Sequence, residues 1–322
     1  MPIHSRGNSP VTRRHAKPSK QHARRRDRQS RIEPAALDSS STLQRSIPGK
    51  HTMSQLQSTN PVFADQLFDQ KIHAQAAGGA ATVQGVINKT GACAMLCAIA
   101  GAIAYAVTAA NPGWAMGFMI ASMIFSLVAF FAIWRSPSHA RWVTPIYSLL
   151  QGMAIGSITF FLEKVLEAKG ITAIGGLALQ AFVITMALMG TMLGLYKARI
   201  LRGGQTFQMA LTVATVGLMV VMLIGFVLHL FGISLPFISL GSALEGGTSA
   251  LIGLGINVLV LGLASLWLVV DFRTIDDAVQ AGAPRESEWY LAFGLMVTLI
   301  WVYIEALKLA FRLAAMFGGK RD

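Results

Sequence analysis

Two acids stand inside the last two long apolar segments of the chain. Asp271 closes the run Leu266-Trp267-Leu268-Val269-Val270, and Glu305 lies within the run from Leu299 to Leu309. A carboxylate at membrane depth costs several kcal/mol and is retained for a partner or a task. Two carboxylates held close together cannot both ionise cheaply, so they share a proton. They also present oxygen, the ligand atom of Ca²⁺, although two carboxylates fall short of the six to eight oxygens of a tight site. Such a pair suits a pH-sensitive, weak and transient Ca²⁺ site on a leak path better than a storage site. The competing reading is structural: Asp271 pairs with Arg273 or Arg135, and Glu305 with Lys308 or Arg312.

The elements that position these acids are written in hydropathy. The 322 residues are 53% hydrophobic and 13% charged, with a mean hydropathy of +0.54. A soluble domain carries about 25% charged residues. Seven apolar stretches are long enough for the roughly 20 helical residues that cross a bilayer: about 90–110, 114–134, 142–162, 172–196, 208–231, 248–270 and 289–312. The backbone must satisfy itself in hydrocarbon, so they are read as helices of an all-α integral membrane protein. Trp114, Trp134, Trp142, Trp289 and Tyr290 fall near helix ends, where aromatic rings meet the interface. The loops on one side carry Arg135, Arg141, Lys197, Arg199, Arg202, Arg273 and Arg285; those on the other carry only Lys164 and Lys169. The positive-inside rule puts the first side, with the N-terminus, in the cytoplasm.

Residues 1–52 hold 12 basic and 3 acidic residues, while the remaining chain holds 15 and 12. The basic character is therefore a property of the tail, and no nucleic-acid partner follows for the body. The tail offers few apolar residues for a core and reads as disordered. Three explanations compete: a cytoplasmic tail against anionic lipid, translation starting at Met53, and a mitochondrial transit peptide. Residues 53–88 read as a polar lead-in to a transmembrane domain over 89–318.

Other chemistries find little support. Lys308 in the seventh helix suggests a retinal Schiff base, but the third stretch, 142–162, offers no counter-ion acid, and Glu305 three residues away makes an ion pair simpler. Ser242 and Ser249 could pass for protease nucleophiles, yet no spacing ties His229 to either. Cys93 and Cys97, four apart without a nearby His, read as small buried residues rather than a metal site or disulfide. There is no Gly-rich phosphate loop, and no cofactor is implied beyond transient Ca²⁺. The residues do not point to an enzyme. Gly152/Gly156 and Gly190/Gly194 are spaced for close helix contact.

From about residue 60 to 318 the chain resembles the Bax inhibitor family, including its bacterial YccA-like members. The matching stretches are Asn60-Pro61-Val62-Phe63, Thr82 to Thr90, Val270 to Asp276, and Glu288 to Leu295 continuing from Thr298 to Glu305. The resemblance implies seven helices with the last one surrounded by the other six. It implies a pH-dependent Ca²⁺ leak in the bacterial inner membrane, gated by acids in helices six and seven, here Asp271 and Glu305. It also implies that Arg135 holds one acid in the closed state. The family commonly has Asp where this chain has Glu305. A second implied role is a non-conducting regulator that binds a membrane-anchored ATP-dependent protease through the N-terminal segment.

A straight hairpin turning near Gly282-Ala283-Pro284 offsets Asp271 and Glu305 by about 13 Å along the axis. They meet only if part of 283–294 leaves the membrane helix, with Glu286 to Tyr290 along the interface and Gly294 as a bend.

Overall fold

A computed structural model describes residues 79–173, 175–232 and 239–318, without the side chains of Phe226, His229 and Leu230. The basic tail, the Met53 start and the Asn60–Phe63 stretch lie outside the described residues, as does the side chain of His229. Seven long apolar helices follow in order: α1 (Val83–Ala110), α2 (Trp114–Arg135), α3 (Ala140–Ala168), α4 (Leu177–Lys197), α5 (Gln205–Leu230), α6 (Gly247–Gln280) and α7 (Ser287–Phe317). A single 3-10 turn, Pro137–His139, links α2 to α3, and a short helical turn, Ser242–Glu245, precedes α6.

Hydropathy located each helix but not its ends. Residues 83–88, expected in the lead-in, belong to α1. Thr82 caps the helix, its hydroxyl accepting from the Gly85 N–H at 2.9 Å, so the helix can start on polar residues. α6 continues past Asp271 to Gln280, where its polar end is held from outside: Tyr196 donates to Asp276 at 2.6 Å, and Arg273 pairs with Asp277 one turn on.

The last helix is the centre of the bundle. Of its most apolar window, 78% is buried, against 11% for α5. It packs on α1, α3, α4 and α6. α2 is applied to α3 and α5 to α6, so the ring around α7 is made chiefly of four helices rather than six. The outward faces of α2 (Met123, Leu127, Phe131) and α5 (Val213, Val216, Val220) expose large apolar side chains, the surface a bilayer covers. Trp267 anchors α5 through its indole N–H to the Thr215 hydroxyl at 2.8 Å.

α1 and α3 approach until backbone meets backbone. A Cβ on Gly152 would collide with the carbonyl of Cys97, and one on Gly156 with the carbonyl of Gly101. The small-residue pair expected there is thus used as expected. Gly190 and Gly194 are not: a Cβ on either would meet open space.

A second junction ties the chain before α1 to the α6–α7 turn. Ala81 N–H donates to the Ala283 carbonyl at 2.7 Å, and Arg285 N–H to the Gly79 carbonyl at 2.9 Å. Beneath this short antiparallel stitch, the buried Glu288 carboxylate accepts from the Thr82 N–H (2.9 Å) and hydroxyl (3.1 Å) and forms an ion pair with Lys89. Gly85 leaves the room: a Cβ there would overlap the Glu288 carboxylate. The Lys89 ammonium also lies 5.3 Å from the centre of the Trp289 ring. Glu288 and Tyr290, which would have to lie along the interface for the two acids to meet, are instead buried at 2% and 1% exposure.

Two stability predictions follow from these junctions. Gly156→Leu forces α1 and α3 apart and costs about 1–3 kcal/mol, lowering the melting temperature in detergent, whereas Gly190→Ala, facing open space, leaves it nearly unchanged. Lys89→Met strands a buried carboxylate and costs about 3–5 kcal/mol. Adding Glu288→Gln should recover part of that loss in a double-mutant cycle, and a loss that merely adds would refute the ion pair as its source.

Candidate functional site

The two acids are both buried, but in different layers of the α6–α7 hairpin. Asp271 is fully buried and Glu305 is 5% exposed. Glu305 lies opposite Asn257, which donates its amide to Glu305 Oε2 at 2.9 Å and to the Glu305 backbone carbonyl at 3.2 Å. That contact fixes the register of the two helices. Asp271 is 14 residues farther along the unbroken α6, about 21 Å along the axis. The antiparallel register sets it level with Leu291 and Tyr290 at the start of α7 rather than with Glu305. The carboxylates therefore do not touch.

The reason lies at the start of α7. A direct pair needed Gly294 to act as a bend and the segment before it to lie along the interface. α7 instead runs without interruption from Ser287 to Phe317, and Gly294 is one of its buried residues. The partners of Glu288, Lys89 and Thr82, draw that first turn into the bundle, so no residues are spared to shift the register.

Each predicted partner can now be placed. Lys308 does pair with Glu305, Nζ to Oε1 at 2.6 Å, three residues along the same helix. Arg312 does not: it donates to the Ser239 carbonyl at 3.1 Å and to the Ser242 hydroxyl at 3.4 Å, joining α7 to the turn before α6. Ser242 thus serves as an acceptor for a buried guanidinium. Arg273 turns to Asp277 (Nε to Oδ2, 3.2 Å) and to the Arg202 carbonyl (3.3 Å). Arg135 is exposed at the end of α2 and makes no ion pair among the described residues, so it latches neither acid in this conformation.

The layer around Glu305 thus consists of Glu305, Lys308, Asn257 and, farther along, Arg312 with Ser242. Asn257 Oδ1 is buried without a hydrogen-bond partner among the described residues, but the amide turns its nitrogen to the Glu305 carboxylate. Two carboxylate oxygens are well short of a Ca²⁺ cage, and Lys308 already pairs with one of them. Among the described residues no group of three His, Cys, Asp or Glu side chains converges on a metal position.

Sequence reasoning missed four polar contributors. Asn257 is a lone amide in an apolar helix, a recognisable signal for a bonded polar residue in a membrane span. Glu288 and Lys89 both occur in the stretches that carry the family resemblance, but nothing in the sequence joins them. Glu163 reads as a loop charge, yet it lies inside α3, accepting from the Tyr105 hydroxyl at 2.6 Å and from the Leu177 N–H at 2.7 Å. There it caps the positive end of α4.

Comparison with curated proteins and with solved structures gives no match. A family model described as Bax inhibitor 1 like matches residues 60–315, most of the chain and all seven helices apart from the last two residues of α7. The chain belongs to the Bax inhibitor 1 like family.

Proposed function

We propose that this protein is a proton-sensitive leak pathway for Ca²⁺ or similar cations in the bacterial inner membrane, with its N-terminus in the cytoplasm. Asp271 and Glu305 act in it as two separate carboxylate stations. The observation that carries the reading is the placement of both acids. They are buried in the central hairpin at depths about 21 Å apart, so carboxylates stand at two levels of it. Protonation removes the negative charge that draws a cation inward, so flux falls as pH falls. Asn257 and Lys308 hold the outer station; Arg135 makes no ion pair with either acid in this conformation.

Ca²⁺ flux into proteoliposomes at about pH 6 and pH 8 tests the reading. Wild type should leak faster at pH 8, and Asp271→Asn and Glu305→Gln should each flatten part of that difference. For two stations in series the double substitution is more severe than either single one. Carboxylates sharing one proton would instead make it no worse. Flux equal to empty liposomes at both pH values would end the conduction reading.

Asn257→Leu supplies a separate check. It removes the amide that holds the Glu305 carboxylate in place. Flux should change in the same direction as in Glu305→Gln, while the effect of Asp271→Asn stays the same.

A second reading draws on the stitch between residues 79–81 and 283–285. A partner that grips the N-terminal segment, such as a membrane-anchored ATP-dependent protease, would pull directly on the start of the central helix. Deleting residues 1–78 should then abolish co-purification with that protease; retained co-purification would refute this role.

A further inference from the structure

A cavity of about 700 Å³ lies between α1, α3, α4 and α7, on the side of the central helix turned away from Glu305. Its wall on α7 is Met296, Leu299, Ile300 and Tyr303. At one end it reaches Tyr105 and Glu163, near the end of α1 and the start of α4. At the other it reaches Ala94 and Met186. Tyr105 and Ala94 are 11 residues apart on one helix, about 16 Å. That is close to half of the roughly 30 Å hydrocarbon thickness of a bilayer. The cavity therefore runs from a membrane surface to about the midplane, the depth of one leaflet.

The mouth opens sideways between α1 and α4. Ala98 and Ala102 on one lip, and Leu179, Phe182 and Met186 on the other, line the cavity and are exposed. They belong to the apolar outer surface of two spanning helices, so the medium at the mouth is lipid. Water has little to hold it inside. Glu163 is engaged by Tyr105 and Leu177. Thr159 donates to the Ile155 carbonyl, Thr185 to the Ala181 carbonyl and Tyr303 to the Ala178 carbonyl. A water molecule needs two to four polar partners to settle. A helix of another protein, about 10 Å across, is too wide for a space of this size.

We propose that this cavity binds one acyl chain of a membrane phospholipid. The chain enters from the leaflet at the Tyr105–Glu163 end, through the gap between α1 and α4. Small residues on α1 (Ala98, Gly101, Ala102) make the groove, and the packed side chains of α3 and α7 close its floor. The site is independent of the conduction reading, since it uses neither buried acid of the α6–α7 hairpin.

The test is photolabelling in vesicles of phosphatidylcholine doped with a phosphatidylcholine that carries a diazirine on its acyl chain. After irradiation, labelled positions are read by peptide mass spectrometry. Leu299 and Ile300, at 9% and 6% exposure, line the cavity from the central helix and not from the outer surface, so annular lipid does not reach them. Label at these positions is expected beside the ordinary label at Leu127 and Val216. Ala102→Trp fills the groove and should lower inner label at least fivefold while leaving Leu127 and Val216 unchanged. Ala98→Phe serves the same purpose should the first variant not fold. Label confined to outward positions in wild type would overturn the proposal, as would inner label that neither variant reduces. Loss of label from the α1 and α4 lips together with cross-linked dimers would also overturn it, by assigning the mouth to a second copy of the chain.

Discussion

A helix at the centre of a membrane bundle must have its charges answered from within the protein. α7 carries Glu288, Glu305 and Arg312 through the most buried part of the molecule and the partly exposed Lys308 beside them, and each has a partner. Lys89 comes from α1 and Asn257 from α6. Lys308 is matched within α7 itself, and Arg312 reaches the turn that precedes α6. Stranding any of these charges costs more than most apolar contacts contribute. The polar contacts consequently set the height and rotation of α7, and the apolar side chains fill the space that remains.

This constraint explains the separation of the two acids. The Glu288 junction fixes one end of α7 against α1, and the Asn257 contact fixes its middle against α6. With both in place, a shift of register that brought Glu305 toward Asp271 would break two sets of buried hydrogen bonds at once. The outcome is a hairpin with carboxylates at two depths and a polar contact network at each end of the bundle. The network at the end carrying the start of α7 includes Tyr196–Asp276, Arg273–Asp277 and Lys89–Glu288. The network at the other includes Tyr105–Glu163 and Arg312–Ser242.

How much of this was legible in the sequence depended on the kind of information needed. Helix number and position are local, and seven apolar runs give them within a few residues. The burial of Asp271 and Glu305 follows from their place in those runs. The Gly152/Gly156 contact was legible because close helix approach leaves a mark on one helix alone. Register between helices leaves no such mark. Asn257 and Glu305 are 48 residues apart, and Lys89 and Glu288 are 199 apart, so neither pair is visible in any window of sequence. The ring of four helices around α7 was hidden for the same reason: α2 and α5 are as apolar as the rest, and only their exposed outer faces reveal them as peripheral.

The stitch between the start of α1 and the start of α7 has a consequence for how the molecule is made. Synthesis proceeds at about 5–20 residues per second. The 199 residues between Lys89 and Glu288 therefore take roughly 10–40 seconds to appear. For that interval Lys89 is in place without its counter-ion, and Gly85 faces a space that no carboxylate yet fills. The four helices that pack on α7 likewise lack their central partner until the seventh helix is made. The bundle is completed by its final segment.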